Sequence, residues 1–176
     1  MDFLHIYAII AKSFQLNLMI RYYRQITRFL IDKSFPLLKG KRIVIGIAPL
    51  SFYAFSVWLP PFLRLIVLST KVKHFDRSAI TGLIAHELCH QERYVNMGTL
   101  KYLGFTVKFL TSRNSRAEEE KATDRLTIEK GYGWELYRLS EITHNDRKNK
   151  KTNDLYLSLE EIRTYSESIG KWSESS

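Results

Sequence analysis

The sequence predicts an α+β fold, and three stretches predict it. Lys41 to Ala48 (KRIVIGIA) and Leu63 to Thr70 (LRLIVLST) are short β-branched runs bounded by Gly, Pro or polar residues, the composition of strands. Ser78 to His90 places apolar side chains at Ile80, Leu83, Ile84 and Leu88, a helical period with one buried stripe. Glu118 to Arg125 (EEEKATDR) is dominated by helix formers. With 176 residues, 45% of them apolar, the chain can bury the core of one compact domain.

Taken in order, Met1 to Ile20 is apolar but interrupted by Asp2, His5, Lys12, Gln15 and Asn17, so it falls short of a membrane span. A signal peptide would want a basic start and a small-residue cleavage site, and neither is evident. One or two helices through about Asp32, packed on the core, are expected. The competing reading docks this segment on a membrane surface through Arg21, Arg24 and Arg28, and core packing is preferred. Ala48 to Ser69 is also apolar, yet Pro60-Pro61 and Arg64 divide it into two strands around a loop. Its aromatics (Phe52, Tyr53, Phe55, Trp58) belong to the core or line a cleft. Asp76 or Ser78 caps the helix that follows. Further on, His144 to Asp154 (HNDRKNKKTND) reads as a basic loop. Ser158-Leu159-Glu160-Glu161 then opens a last helix with a capping box, and the tail from Trp172 is expected to fray.

The net charge is +9, but the basic residues are spread along the chain apart from 147–151. No recognised nucleic-acid motif accompanies them, so no specific nucleic-acid partner is expected, and the charge can steer acidic substrates instead. One cysteine excludes an internal disulfide and suits a reducing compartment, so a cytoplasmic protein is expected, with peripheral membrane contact as the alternative.

The chemistry concentrates at His86-Glu87-Leu88-Cys89-His90. Residues four apart on a helix share a face, about 6 Å apart along the axis, so two imidazoles there can bind one metal ion. Glu87 is then placed to act on a metal-bound water. Cys89 faces elsewhere and reads as a small buried apolar group. A catalytic site needs a third protein ligand. Glycine at 93 and histidine at 96 would complete a close-spaced three-histidine site, but the chain has Arg93 and Asn96, and no histidine intervenes between His90 and His144. A carboxylate from 118–125 must serve.

Glu120 and Asp124 stand four apart, followed by Arg125-Leu126 and by Gly131-Tyr132-Gly133 closing the helix. H-E-x-x-H followed by E-x-x-x-D resembles the gluzincin metallopeptidases, closest to the soluble core of HtpX-type and CAAX prenyl proteases, over roughly residues 41–140. The resemblance implies a zincin-like fold: a small, mostly antiparallel sheet packed against the H-E-x-x-H helix and a glutamate helix. A helical N-terminal extension (1–38) would precede a catalytic core (41–140), and a basic loop with a C-terminal helix (141–176) would follow. It further implies one zinc ion per chain on His86, His90 and Glu120, with Asp124 orienting a ligand histidine from behind. Glu119 is the nearest competitor, turned about 100° from that register.

Such an ion supplies Lewis acidity and lowers the pKa of a bound water toward about 7. Glu87 would take the water's proton and pass it to the leaving amine of a peptide or protein substrate. Tyr132, Tyr137 and His144 are candidate donors to the developing oxyanion. The alternative is a non-catalytic or latent zinc-binding protein acting as an interaction or nucleic-acid/membrane-surface module.

Overall fold

The strand Leu63–Ser69 is the most deeply buried of three, and it takes the centre of the sheet. In the computed structural model, residues 3–148 and 154–174 are described, with side chains over 13–144 and 154–174. These residues form α1 (Phe3–Ser34), β1 (Ile43–Ala48), β2 (Ala54–Leu59), β3 (Leu63–Ser69), α2 (Arg77–Thr111), α3 (Arg113–Glu129), α4 (Gly133–Lys148) and α5 (Leu159–Ser168). The class is α+β.

β2 returns into β3 through the turn at Pro60–Phe62, closed by the Phe62 N–H donating to the Leu59 carbonyl at 3.1 Å. The two strands are antiparallel, with Ser56 opposite Ile66. β1 pairs on the other side of β3 and runs parallel to it, with Ile45 opposite Ile66. The sheet is therefore mixed, one pairing of each kind, where a mostly antiparallel sheet was expected. The reason is order: β1 and β2 run in opposite directions, and β3 enters between them because its alternating and then continuous apolar side chains are best buried at the centre.

α2 starts where Asp76 Oδ1 accepts the Ala79 N–H at 2.8 Å, so Asp76 rather than Ser78 is the cap. Ile80, Ile84 and Leu88 are fully buried on its inner face. Gly82 lets α4 approach closely, since a Cβ there would collide with the Glu135 carbonyl. The helix breaks at Gly98, whose φ of +71° is left-handed, and residues 99–111 continue in a new direction.

α1 is a single helix that packs on α2 and β1 through Tyr23, Ile26 and Leu30. Among the described residues, no helix is long and apolar enough to cross a membrane. Trp58 is buried beneath the Arg64 guanidinium, while Phe52 is exposed.

α4 continues through Lys148, so the basic segment begins as helix where a loop from His144 was expected; 149–153 lie outside the described residues. The capping box forms as read, the Ser158 N–H donating to Glu161 Oε2 at 2.7 Å and Ser158 Oγ accepting the Glu161 N–H at 3.1 Å. Trp172 does not fray, because its ring packs edge-on against Trp134 and Tyr137.

Candidate metal centre

α2 carries His86 and His90 on one face, their rings 4.9 Å apart and nearly perpendicular. α3 packs against α2 and brings Glu120 to both of them. Its Oε2 lies 3.1 Å from His86 Nε2 and 3.5 Å from His90 Nε2. Three ligand atoms from these residues lie within 4.8 Å of one another, and all three residues are buried. The group could hold a metal ion.

Each imidazole has a carboxylate close behind it. Asp124 Oδ1 lies 2.9 Å from His86 Nδ1, and Asp124 Oδ2 accepts the Leu157 N–H at 2.9 Å. His90 Nδ1 faces Thr123 Oγ1 at 3.3 Å and Glu119 Oε1 at 3.5 Å. Glu119 is gripped in turn by Arg93, whose Nε and Nη2 donate to its two oxygens at 2.8 and 2.6 Å. Asp124 stands against His86 Nδ1 as a close charge neighbour without a well-aligned hydrogen bond. Both Nε2 atoms turn toward Glu120, with carboxylates behind the rings as in sites that orient ligand histidines.

Charge supplies a test of fit. Four buried carboxylates (Glu87, Glu119, Glu120 and Asp124) gather here, and Arg93 is the guanidinium paired among them. Low-dielectric surroundings demand a balancing charge, from protonated imidazoles or from a cation. A second observation agrees. Glu87 Oε2 is buried and has no hydrogen-bond partner among the described residues, and such an atom is costly unless something pairs with it. Two nitrogens and an oxygen, with a partnerless carboxylate oxygen beside them, fit a group that could hold a metal ion.

Without that ion the groups perturb one another. Burial lowers the affinity of both histidines for a proton, but the carboxylates outweigh it. His86 is raised well above its ordinary value by Asp124 and Glu120, and His90 is raised to about 9 by Glu120 and Glu119. Burial would lift Glu120 and Glu119, yet the histidines, with Arg93 in the case of Glu119, hold both down, Glu119 at about 2. Glu87 goes the other way, raised by burial. Burial also pushes the Cys89 thiol up to about 12, and it accepts a hydrogen bond from Thr127 Oγ1, fitting its reading as an inert core group.

The sheet fixes α2 through Gln91. Its Nε2 donates to Ser56 Oγ at 2.7 Å and to the Val57 carbonyl at 3.1 Å, while its Oε1 accepts from Arg64 at 3.1 Å. Ser56 Oγ donates onward to the Glu87 carbonyl at 3.2 Å. The backbone of the general-base candidate is thus tied to β2.

The structure brings together His86, Glu87, His90, Glu120 and Asp124. It does not bring the three oxyanion candidates to them. Tyr132 pairs its hydroxyl with Ser34 Oγ at 2.8 Å and stacks on Phe35. Tyr137 packs between Trp134 and Trp172, and His144 sits half-buried on α4. Among the described residues, no hydrogen bond, ion pair or ring contact joins any of the three to the cluster. The tyrosines beside the histidines are others: Tyr94 stacks on His90 at 6.0 Å, and Tyr156 lies 6.2 Å from His86. Tyr94 was legible, standing one helical turn after His90; Glu119, Thr123 and Gln91 were missed as supports, and Tyr156 carries no local signal.

Compared with protein-family models, curated proteins and solved structures, the chain matches none.

Proposed function

We propose that this chain is a zinc-dependent peptidase of the gluzincin kind, hydrolysing peptide bonds with Glu87 as general base. The observation that carries the reading is the buried Glu87 Oε2, which has no hydrogen-bond partner among the described residues, beside the His86, His90 and Glu120 donors. A purely structural ion needs no such acid, and it usually takes four protein ligands.

His86 Nε2, His90 Nε2 and Glu120 would hold the ion, and imidazole with carboxylate suits zinc. When bound, it supplies Lewis acidity toward the scissile carbonyl and acidifies water. The residues of the chain do the rest. Asp124 fixes the tautomer and angle of His86, and Thr123 with Glu119 does so for His90. Burial raises Glu87 toward the range in which a base both accepts and returns a proton. It takes the proton of the attacking water and gives it to the departing amine. Ser56 and Gln91 keep its backbone fixed against β2 while the proton moves.

Chelation and reloading test this reading. Stripped protein should cleave nothing in a mixture of unstructured peptides, and one equivalent of zinc per chain should restore cleavage in proportion. Zinc bound at one equivalent with no cleavage would instead make this a non-catalytic metal protein.

A further inference from the structure

Beyond the break at Gly98, α2 turns a stripe of apolar side chains toward solvent. Leu100, Leu103, Val107 and Leu110 follow i, i+3, i+7, i+10 spacing, so they share one face. All four are largely exposed, Leu100 at 85% and Leu110 at 67%. The other face holds Tyr102 and Phe105, packed with Trp58 and Tyr94. The Trp58 N–H donates to the Tyr102 hydroxyl at 3.0 Å, which brings the β2–β3 turn alongside this helix. At that turn Leu59 is exposed and Phe62 stands clear at 89%. Single exposed apolar residues are ordinary, but six on two adjoining elements form a patch that calls for a partner.

The charged side chains within 99–111 have one sign. They are Lys101 and Lys108, both exposed, while Arg93 and Arg113 to either side are paired with Glu119 and Asp154. The partner is therefore anionic. A second copy would set Lys101 and Lys108 against their own counterparts on a chain already at +9. A protruding side chain such as Phe62 needs no matched pocket when it enters acyl chains, whereas a protein partner would have to supply one.

We infer that the outer face of residues 99–111 and the Leu59–Phe62 turn form a docking surface for an anionic lipid bilayer. The leucines, Val107 and Phe62 enter the boundary between headgroups and acyl chains, and Lys101 and Lys108, both exposed, meet the headgroups. The surface adjoins the metal centre through Tyr102, which packs on Tyr94, which stacks on His90. Docking thus sets the centre close to the membrane.

The test is vesicle flotation of the full chain, using phosphatidylcholine vesicles and vesicles of equal phosphatidylcholine and phosphatidylglycerol. The wild type should bind the anionic vesicles at least about tenfold more tightly. The double substitution Leu100→Ser with Val107→Ser should weaken that binding by about tenfold or more. Phe62→Ser should weaken it as well, and thermal melts should show every variant folded, since these positions are exposed. Absence of wild-type binding overturns the inference, as does binding that survives all three substitutions. A wild-type dimer that the double substitution dissociates in sedimentation velocity would assign the face to a second copy and overturn it too. Flotation reads no turnover, so its failure leaves the peptidase reading standing.

Discussion

Asp124 lies directly behind His86, its Oδ1 2.9 Å from Nδ1, while its other oxygen accepts the Leu157 N–H. One carboxylate therefore stands against a histidine of the group that could hold a metal ion and fastens the segment that places Tyr156 beside that ring. Substitution by asparagine keeps the shape and an acceptor but removes the charge. Asp124→Asn should fold normally and bind zinc about 10- to 100-fold more weakly, as read by competition with a chromophoric chelator. Unchanged affinity would remove Asp124 from the centre.

Metal binding should expel protons. His90 is raised to about 9 and His86 is raised well above its ordinary value, so near neutral pH both carry protons in the metal-free chain. An ion needs neutral imidazoles, so zinc loading should release about two protons near pH 7 and tighten as pH rises toward the histidine pKa values. A pH-sensitive dye in weak buffer reads this directly. Release of none would mean that the histidines are already neutral or are not ligands.

Stability of the metal-free chain should peak in mildly acidic solution. Glu119 and Glu120 are depressed below the ordinary 4.5, so their contribution is full above that value and is lost as pH falls, for Glu119 down to about 2. His86 and His90 are raised above 6.5, so theirs is full below 6.5 and is lost as pH rises, for His90 through about 9. Glu87, raised by burial, adds a decline that begins near 4.5 and draws the maximum toward the acid side. Thermal melts across this range should show the two limbs, and zinc should lift the alkaline one.

The α2–α4 contact sets a packing prediction. A methyl at position 82 would meet the Glu135 backbone, which cannot give way as a flexible side chain can. Gly82→Ala should destabilise the fold by about 1–3 kcal/mol or more, seen as a lower denaturation midpoint. A neutral effect would mean that the helices are not so closely apposed.

What could be read in advance was local. A cap at Asp76 or Ser78, the buried Ile80, Ile84 and Leu88, and the Ser158–Glu161 box follow from helix periodicity and end chemistry, and the structure chooses Asp76. His86 and His90 share a face because of a four-residue step, whereas Glu120 in front of His86 and Asp124 behind it were expected only from the resemblance to the gluzincins. What could not be read was set by distant partners. The place of β3 between β1 and β2 is a non-local pairing choice. Glu119, one residue from Glu120, finds the other histidine only because α3 lies across α2 at that point, where Arg93 waits one turn further on. The break at Gly98 was hidden inside a run that is otherwise helical on both sides.

The most direct measurement compares the wild type with Glu87→Gln, each loaded with zinc and quantified for metal, on one broad peptide library read by mass spectrometry. Both should hold one ion per chain, because Glu87 is not a ligand, and only the wild type should cleave. Equal cleavage by the two, or none by either with zinc bound, would contradict Glu87 as the base of a metallopeptidase.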